Sequence, residues 1–230
     1  MIGVVVNSVA VLVGSLLGLL FKKGISEKLS TAVMTGIGLC TTYIGITGLF
    51  GGTDPLVAVI SVVVGVLLGT LLDLDRRLSG LGNKLSSALS KNSDGNKFTE
   101  GFVSASLLFC VGAMAIMGSI TAGLSGDNTT LFTKSILDFT AAVMFGSAFG
   151  IGVIFSIIPL TLYQGAIAIS ASYLEPLLTQ DAVAAITCVG SIIIMGLGLN
   201  IAGISKIKIA NFIPAILISP FVYYLFEYIN

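Results

Sequence analysis

Unbroken apolar runs of about 18 residues or more recur along this chain, and they constrain its fold more than any other feature. A helix rises about 1.5 Å per residue, so a run of this length can cross the roughly 30 Å hydrocarbon core of a bilayer. Hydrophobic residues make up 55% of the sequence and charged residues 10%. A soluble domain carries about 25% charged residues, so the composition agrees with the runs. The predicted fold class is an all-α membrane protein.

Eight transmembrane helices are predicted, and together they form one polytopic membrane domain over residues 1–230. The predicted spans are residues 2–21, 31–50, 55–72, 102–124, 135–156, 159–178, 182–201 and 210–228.

The distribution of basic residues predicts how the chain is oriented. All lysines and arginines except Lys134 fall in the loops after spans one, three and seven, which share one side of the membrane. Loops on the cytoplasmic side carry an excess of these residues. Both termini are therefore expected outside.

The longest of these loops, residues 73–100, has a helical pattern of its own. Leucines recur at helical spacing from Leu74 to Leu89, with basic residues between them. This pattern predicts a short amphipathic helix on the cytoplasmic membrane face, or a docking helix for a partner. A solvated linker is the alternative, and it is favoured where the sequence turns to KNSDGNK.

One stretch of sequence occurs twice, as CVGAMAIMG at residues 110–118 and as CVGSIIIMG at residues 188–196. The two copies lie in spans four and seven, an odd number of spans apart, so they cross the membrane in opposite directions. Spans one and six also resemble each other weakly, since each carries an early amide residue, Asn7 in span one and Gln164 in span six. Spans one to three are therefore expected to recur inverted as spans six to eight, as in many secondary transporters.

Small residues indicate where helices approach each other. G-x-x-x-G spacing occurs three times within predicted spans, and in lipid it lets helix backbones pack closely. The glycine pairs are Gly14/Gly18, Gly65/Gly69 and Gly146/Gly150. Packing within one chain is favoured over a dimer interface for each motif, although a bundle of eight short spans is compatible with a homo-oligomer.

Several polar residues lie at predicted membrane depth, where they are costly and call for a partner or a function. Asp138 follows Lys134 by four residues, so the two share a helix face. Asp138 either contributes to a solute site or caps a helix N-terminus at the interface, where the helix dipole favours an acid. The amides of Asn7, Gln164 and Asn200 either bridge helices or line a polar path.

The sequence argues against an enzyme and against a resident cofactor. It contains no histidine, so it lacks a neutral-pH proton shuttle and an imidazole metal ligand. Its three cysteines lie in separate apolar runs, without C-x-x-C spacing. No metal site is predicted, and a net charge of zero predicts no nucleic-acid partner.

Three segments carry a resemblance to a known family: VVVNSVAVLVGSLLGLLFKKG, GLSGDNTTLFTKSILD and YQG. They are similar to the YqgA-like bacterial integral membrane proteins, a family of unknown function, and the resemblance covers essentially the whole chain. The matching positions are Asn7, Gly126, Asp127, Lys134, Ser135, Asp138, Gln164 and Gly165. The resemblance implies a bacterial inner-membrane location and adds Asp127 and Ser135 to the candidate residues.

The expected function is that of a small secondary transporter or channel, carrying a small polar solute or ion across the lipid bilayer. The candidate pathway residues are Asn7, Asp127, Lys134, Ser135, Asp138, Gln164 and Asn200. The alternative is a non-transporting membrane scaffold or regulator that acts through the loop at residues 73–100.

Overall fold

The structure is a computed structural model that describes residues 1–21, 27–50, 53–77, 80 and 95–229. The elements in these ranges are helical. They are α1 (Ile2–Phe21), α2 (Glu27–Leu49), α3 (Pro55–Leu71), α4 (Gly95–Cys110), α5 (Ala113–Leu124), α6 (Thr129–Phe149), α7 (Gly152–Phe155), α8 (Ile157–Ile169), α9 (Ala171–Leu174), α10 (Gln180–Ile201), a 3-10 helix (Ile209–Phe212) and α11 (Ile213–Ile229).

Among the residues that the structure describes, five helical stretches are long and apolar enough to cross a membrane. They are Ile2–Phe21, Thr31–Leu49, Gly152–Ile169, Gln180–Ile201 and Ile209–Ile229. A sixth is obtained if α4 and α5, bent by 57° relative to each other, form one broken span. The all-helical membrane class is confirmed, but the eight predicted spans are not. The apolar helix α3 has only 17 residues, and Lys134 and Asp138 interrupt the apolar run of α6.

The predicted bounds of spans five and six, 135–156 and 159–178, are wrong by several residues. Helix α6 begins at Thr129 and ends at Phe149, because Gly150 adopts a φ of 83° that terminates the helix. The next apolar stretch begins at Gly152, so Pro159 lies within it rather than at its start. Sequence periodicity did not locate these breaks, because glycine and proline are both tolerated inside apolar spans.

The repeated stretch has different structures in its two copies. In the first copy the helix breaks after Cys110, where Gly112 has a φ of 132°. In the second copy Cys188 and Gly190 lie inside the continuous helix α10. A Cβ on Gly190 would collide with the side chain of Val111, so this residue of the first copy packs against Gly190 of the second.

The predicted loop at residues 73–100 lies mostly outside the described residues, and so does most of its predicted amphipathic helix from Leu74 to Leu89, of which residues 74–77 and 80 are described and are helical. The described C-terminal part of the loop, residues 95–100, forms the first turns of α4, so the helix of predicted span four begins at Gly95 rather than at residue 102.

The chain divides into two compact units. The first contains the described residues of Met1–Met34, Leu78–Cys110 and Met114–Ser172, and the second contains those of Thr35–Arg77, Val111–Ala113 and Tyr173–Asn230.

In the first unit, α1 packs along α6 with the two backbones in close contact. A Cβ on Gly14 would lie 2.6 Å from the carbonyl oxygen of Phe139, and a Cβ on Gly146 would lie 2.7 Å from that of Ser15. Gly18 faces the carbonyl oxygen of Val143. Because residue numbers rise together along the contact, the two helices run in the same direction.

Helix α8 packs on α1 in the opposite direction. The buried cluster that includes Val4 and Ala168 lies at one end of this contact. At the other end, Ser8 Oγ and Thr161 Oγ1 share a hydrogen bond of 2.6 Å.

In the second unit, two antiparallel helix pairs meet through glycines. On α3, Gly65 faces Ala215 in α11, and Gly69 faces the carbonyl of Asn211 in the 3-10 helix that precedes α11. On α2, Gly38 faces Ala202 and Gly45 faces Met195 in α10. In lipid the hydrophobic effect does not drive helices together, so van der Waals contact between closely packed backbones stabilises these pairs.

Replacing Gly18 by alanine should destabilise the protein by about 1–3 kcal/mol, since the new methyl group is forced against the backbone of α6. The measurement is reversible unfolding in mixed detergent micelles. The matched control is Gly36→Ala in the exposed face of α2, where a Cβ meets no heavy atom within 4 Å. That variant should be neutral or more stable by up to about 1 kcal/mol. Equal effects of the two substitutions would contradict the packing described for α1.

Candidate functional site

Four polar side chains meet in the interior of the first unit, and we call them the polar cluster: Asn7, Lys134, Asp138 and Gln164. Asn7 comes from α1, Lys134 and Asp138 from α6, and Gln164 from α8. Asn7 and Gln164 are 0% exposed, Lys134 is 5% exposed and Asp138 is 6% exposed. The cluster is therefore enclosed by apolar helices.

The two charged members of the cluster form an ion pair. Lys134 Nζ donates a hydrogen bond to Oδ2 of Asp138, one turn further along α6. Burial of an isolated charge is very costly, and pairing with hydrogen bonding reduces that cost. Among the described residues, these are the charged side chains that the fold buries.

Asn7 connects the ion pair to Gln164. Its amide nitrogen donates to Asp138 Oδ2 at 2.9 Å and to Gln164 Oε1 at 3.2 Å. An amide nitrogen has two donor hydrogens, so these bonds use the full donor capacity of Asn7. The carboxylate fixes the orientation of both amides, because Asn7 must present its nitrogen to Asp138 and Gln164 must then present its oxygen to Asn7.

Two polar atoms of the cluster are buried without a hydrogen-bond partner in the part of the chain that the structure describes. They are Oδ1 of Asn7 and Nε2 of Gln164. One is an acceptor and the other is a donor, and they belong to amides that touch each other. Most buried polar groups have a partner, so this unsatisfied pair sets the polar cluster apart as the candidate site.

Two further residues, Gly165 and Cys110, lie near the polar cluster. Gly165, the neighbour of Gln164, is buried, yet a Cβ placed on it would meet no heavy atom within 4 Å. The thiol of Cys110 lies close enough to Lys134 and Asp138 to interact electrostatically with both. Sequence reasoning did not select Cys110, because its membership depends on how α4 packs.

Asp138 does not cap the N-terminus of its helix, which was the alternative interpretation of its position. It lies in the middle of α6 and is 6% exposed. The interpretation as a cap is wrong because α6 begins at Thr129, earlier than predicted, and this places Asp138 more than two turns inside the helix.

The structure does not bring Ser135 and Asp127 into the hydrogen-bond network. Ser135 is buried beside Lys134, but its hydroxyl donates to Leu131 O of its own helix at 2.7 Å. Asp127 is exposed before α6, where its Oδ1 accepts hydrogen bonds from Thr129 Oγ1 at 2.7 Å and Thr129 N at 2.9 Å.

The hydrogen bonds from Thr129, the side-chain bond first, lower the pKa of Asp127. Their contribution to stability is therefore present above the ordinary carboxyl pKa and is lost as the pH falls through the lowered value.

Asn200 lies in the second unit, where it organises a loop. Its Oδ1 accepts hydrogen bonds from Ser205 Oγ at 2.7 Å and Ile207 N at 2.8 Å, and its Nδ2 donates to Ile207 O at 2.7 Å. These bonds occupy the amide with contacts to its own loop.

Sequence reasoning missed two asparagines that fix helix ends. Asn128 Oδ1 accepts a hydrogen bond from Gly3 N at 2.8 Å and joins the start of α1 to the start of α6. Asn211 Oδ1 accepts one from Asp75 N at 2.9 Å. Both asparagines lie outside apolar runs or at their edges, so the cost of burying a polar group in lipid did not single them out in the sequence.

Apolar helices of membrane length with a buried polar cluster define a helical membrane protein. The chain belongs to the family described as "Protein of unknown function (DUF554)", whose model matches residues 2–224.

Two relatives cover nearly the whole chain. "Uncharacterized membrane protein YdfK" of Bacillus subtilis (strain 168) is 34% identical over 226 residues, covering 96% of this chain and 95% of the relative. "Uncharacterized protein YqgA" of Escherichia coli (strain K12) is 29% identical over 221 residues, covering 95% of this chain and 94% of the relative. No solved structure matches. The expected family is thus confirmed.

Replacing Lys134 alone by methionine should destabilise the protein by about 3–5 kcal/mol, because Asp138 is left buried without its counter-charge. Asp138→Leu should have a comparable effect through Lys134. The double variant should lose much less than the sum of the two single losses, since no unpaired charge remains. Reversible unfolding of all four proteins in mixed micelles measures this coupling. Additive losses would mean that the two side chains do not act as a pair.

Proposed function

We propose that this protein moves a small polar solute or ion across the bacterial cell membrane, and that the polar cluster is its binding site. The observation that carries the proposal is the pair of unpartnered atoms, Asn7 Oδ1 and Gln164 Nε2, inside an otherwise apolar unit. Polar and ionisable groups at membrane depth are costly, and they commonly mark solute and ion pathways.

A purely structural cluster would be expected to satisfy its own hydrogen bonds. The amides of Asn7 and Gln164 could close a two-bond ring with each other, but they form a single bond, from Asn7 Nδ2 to Gln164 Oε1. The arrangement therefore gives up an internal hydrogen bond and keeps one acceptor and one donor open. Groups held in this way are preorganised for a ligand.

The helix pairing supports eight crossings and an inverted repeat as part of the proposal. Three antiparallel contacts join α1 with α8, α2 with α10 and α3 with α11. In the predicted numbering these are spans one and six, two and seven, and three and eight, so each span packs against its expected inverted counterpart. The contacts are Asn7 with Gln164, Gly45 with Met195 and Gly65 with Ala215.

The parallel contact of α1 with α6 also agrees with eight spans, because spans one and five would cross in the same direction. With the basic loops on the cytoplasmic side, both termini lie outside in this topology. The location proposed is the inner membrane of a bacterium, and one relative is itself described as a membrane protein.

Purified protein in liposomes should carry at least one solute from a panel of neutral polar compounds, amino acids and inorganic ions faster than protein-free liposomes do. The variant Gln164→Leu should reduce that flux by about tenfold, the value of one hydrogen bond to the solute. Osmotic light scattering measures the neutral compounds, and entrapped indicators or radiolabels measure the others.

The matched control is Gln180→Leu, which changes the same residue type at an exposed position at the start of α10. It should transport as wild type does. Absence of flux for every compound would contradict transport and favour the scaffold alternative, which acts through residues 73–100. Equal losses in Gln164→Leu and Gln180→Leu would contradict the assignment of the site.

A further inference from the structure

We infer that the solute is an uncharged molecule that both donates and accepts hydrogen bonds, bound between Asn7 Oδ1 and Gln164 Nε2. This inference rests on the proposed function, and it adds the chemical class of the solute. Two features of the polar cluster support it: its charge balance and the fixed orientation of its amides.

The charges of the site already cancel. Lys134 and Asp138 neutralise each other directly, and they are the buried charged side chains among the described residues. An incoming cation or anion would lose its hydration without a counter-charge, which is costly in an apolar interior. An uncharged molecule avoids that cost, so the charge balance favours neutral compounds over ions.

The open groups also define which hydrogen bonds the solute must make. Asn7 offers an acceptor and Gln164 offers a donor, and the carboxylate of Asp138 prevents either amide from turning over. A molecule with only donors leaves Gln164 Nε2 unsatisfied, and one with only acceptors leaves Asn7 Oδ1 unsatisfied. Primary amides, ureas and hydroxyl compounds satisfy both.

Gly165 provides space beside the cluster without a polar group of its own. It adjoins Gln164 and is buried, and a Cβ at this position meets nothing within 4 Å. A Cβ at this position therefore meets no other helix, and Gly165→Leu adds bulk next to Gln164 without removing a polar group of the cluster. Since leucine is a better helix former than glycine, this variant is not expected to disrupt α8.

Urea and guanidinium are the most informative probes, because they have nearly the same planar shape. Urea is uncharged and carries donors and an acceptor, whereas guanidinium is a cation with donors only. Glycerol is added as an uncharged hydroxyl compound, and potassium and chloride are added as simple ions. Uptake is measured in liposomes that contain the wild-type protein, Gln164→Leu, Gly165→Leu or the control Gln180→Leu.

The expected result is uptake of urea or glycerol above that of protein-free liposomes, with guanidinium, potassium and chloride at the background rate. Gln164→Leu should reduce the uptake by about tenfold, and Gly165→Leu should also reduce it. Gln180→Leu should leave it unchanged. Size-exclusion chromatography shows whether each variant is folded, and Gly165→Leu tests the site even if Gln164→Leu does not fold.

Uptake of guanidinium or of a simple ion, alone or together with urea, would overturn the inference but leave transport itself supported. Absence of uptake for all five probes would overturn the inference, and a water molecule held by the two amides would then account for their open groups. Transport by the same preparation of another compound from the wider panel would show that the proposed function survives that result. If neither Gln164→Leu nor Gly165→Leu reduced the uptake of urea, the inference would be overturned, because the solute would cross at another place in the protein.

Discussion

The buried ion pair between Lys134 and Asp138 is the interaction on which the first unit depends. The two residues lie one turn apart on α6, so they meet as soon as that helix forms. A paired carboxylate in an apolar interior still needs further hydrogen-bond donors. Asn7 supplies one from α1, and in turn it orients Gln164 on α8. One carboxylate oxygen thereby aligns three helices.

Close packing of α1 on α6 makes this arrangement accessible. The side chain of Asn7 is short, so it reaches Asp138 only because Gly14 and Gly18 let the two backbones approach. The hydrogen bond from Gly3 N to Asn128 fixes the start of the same contact. Contacts at both ends and in the middle thus determine the position of α1 along α6. The open groups of the polar cluster are held by this packing, which is the condition for binding a small molecule with little loss of conformational entropy.

The free-energy cost of placing polar side chains within a membrane identified the members of the polar cluster in the sequence. Lys134, Asp138, Asn7 and Gln164 stand out because polar groups are costly within apolar runs, and the i, i+4 spacing placed Lys134 and Asp138 on one helix face. The sequence could not show that the four meet, because Asn7 lies 131 residues from Asp138 and 157 residues from Gln164. Asn200 is also a polar residue within an apolar run, yet its amide forms hydrogen bonds with its own loop. The cost of burial therefore reveals which residues need a partner, whereas only the packing reveals which partner they find.

The helix breaks were the least predictable part of the fold. Gly112 and Gly150 interrupt helices through positive φ values of 132° and 83°, whereas Gly190 lies inside a helix although its local sequence repeats that of Gly112. Tertiary contact explains the difference, since Gly190 accommodates Val111 from the broken copy. The apparent depth of Asp138 changed for the same reason, because a helix that starts earlier moves its polar residues further inside.

The proposed site for an uncharged solute depends on the buried, unpartnered donor of Gln164. The chain contains two glutamines, Gln164 and the exposed Gln180, so labelling glutamine side chains with nitrogen-15 gives two amide signals. Protein in lipid nanodiscs is titrated with urea and, separately, with guanidinium, and Gln164→Leu assigns the buried signal. We predict a saturable shift of the Gln164 signal with urea but not with guanidinium, and no saturable shift of the Gln180 signal with either compound. A Gln164 signal that responds to neither compound, or to guanidinium as strongly as to urea, would contradict this prediction.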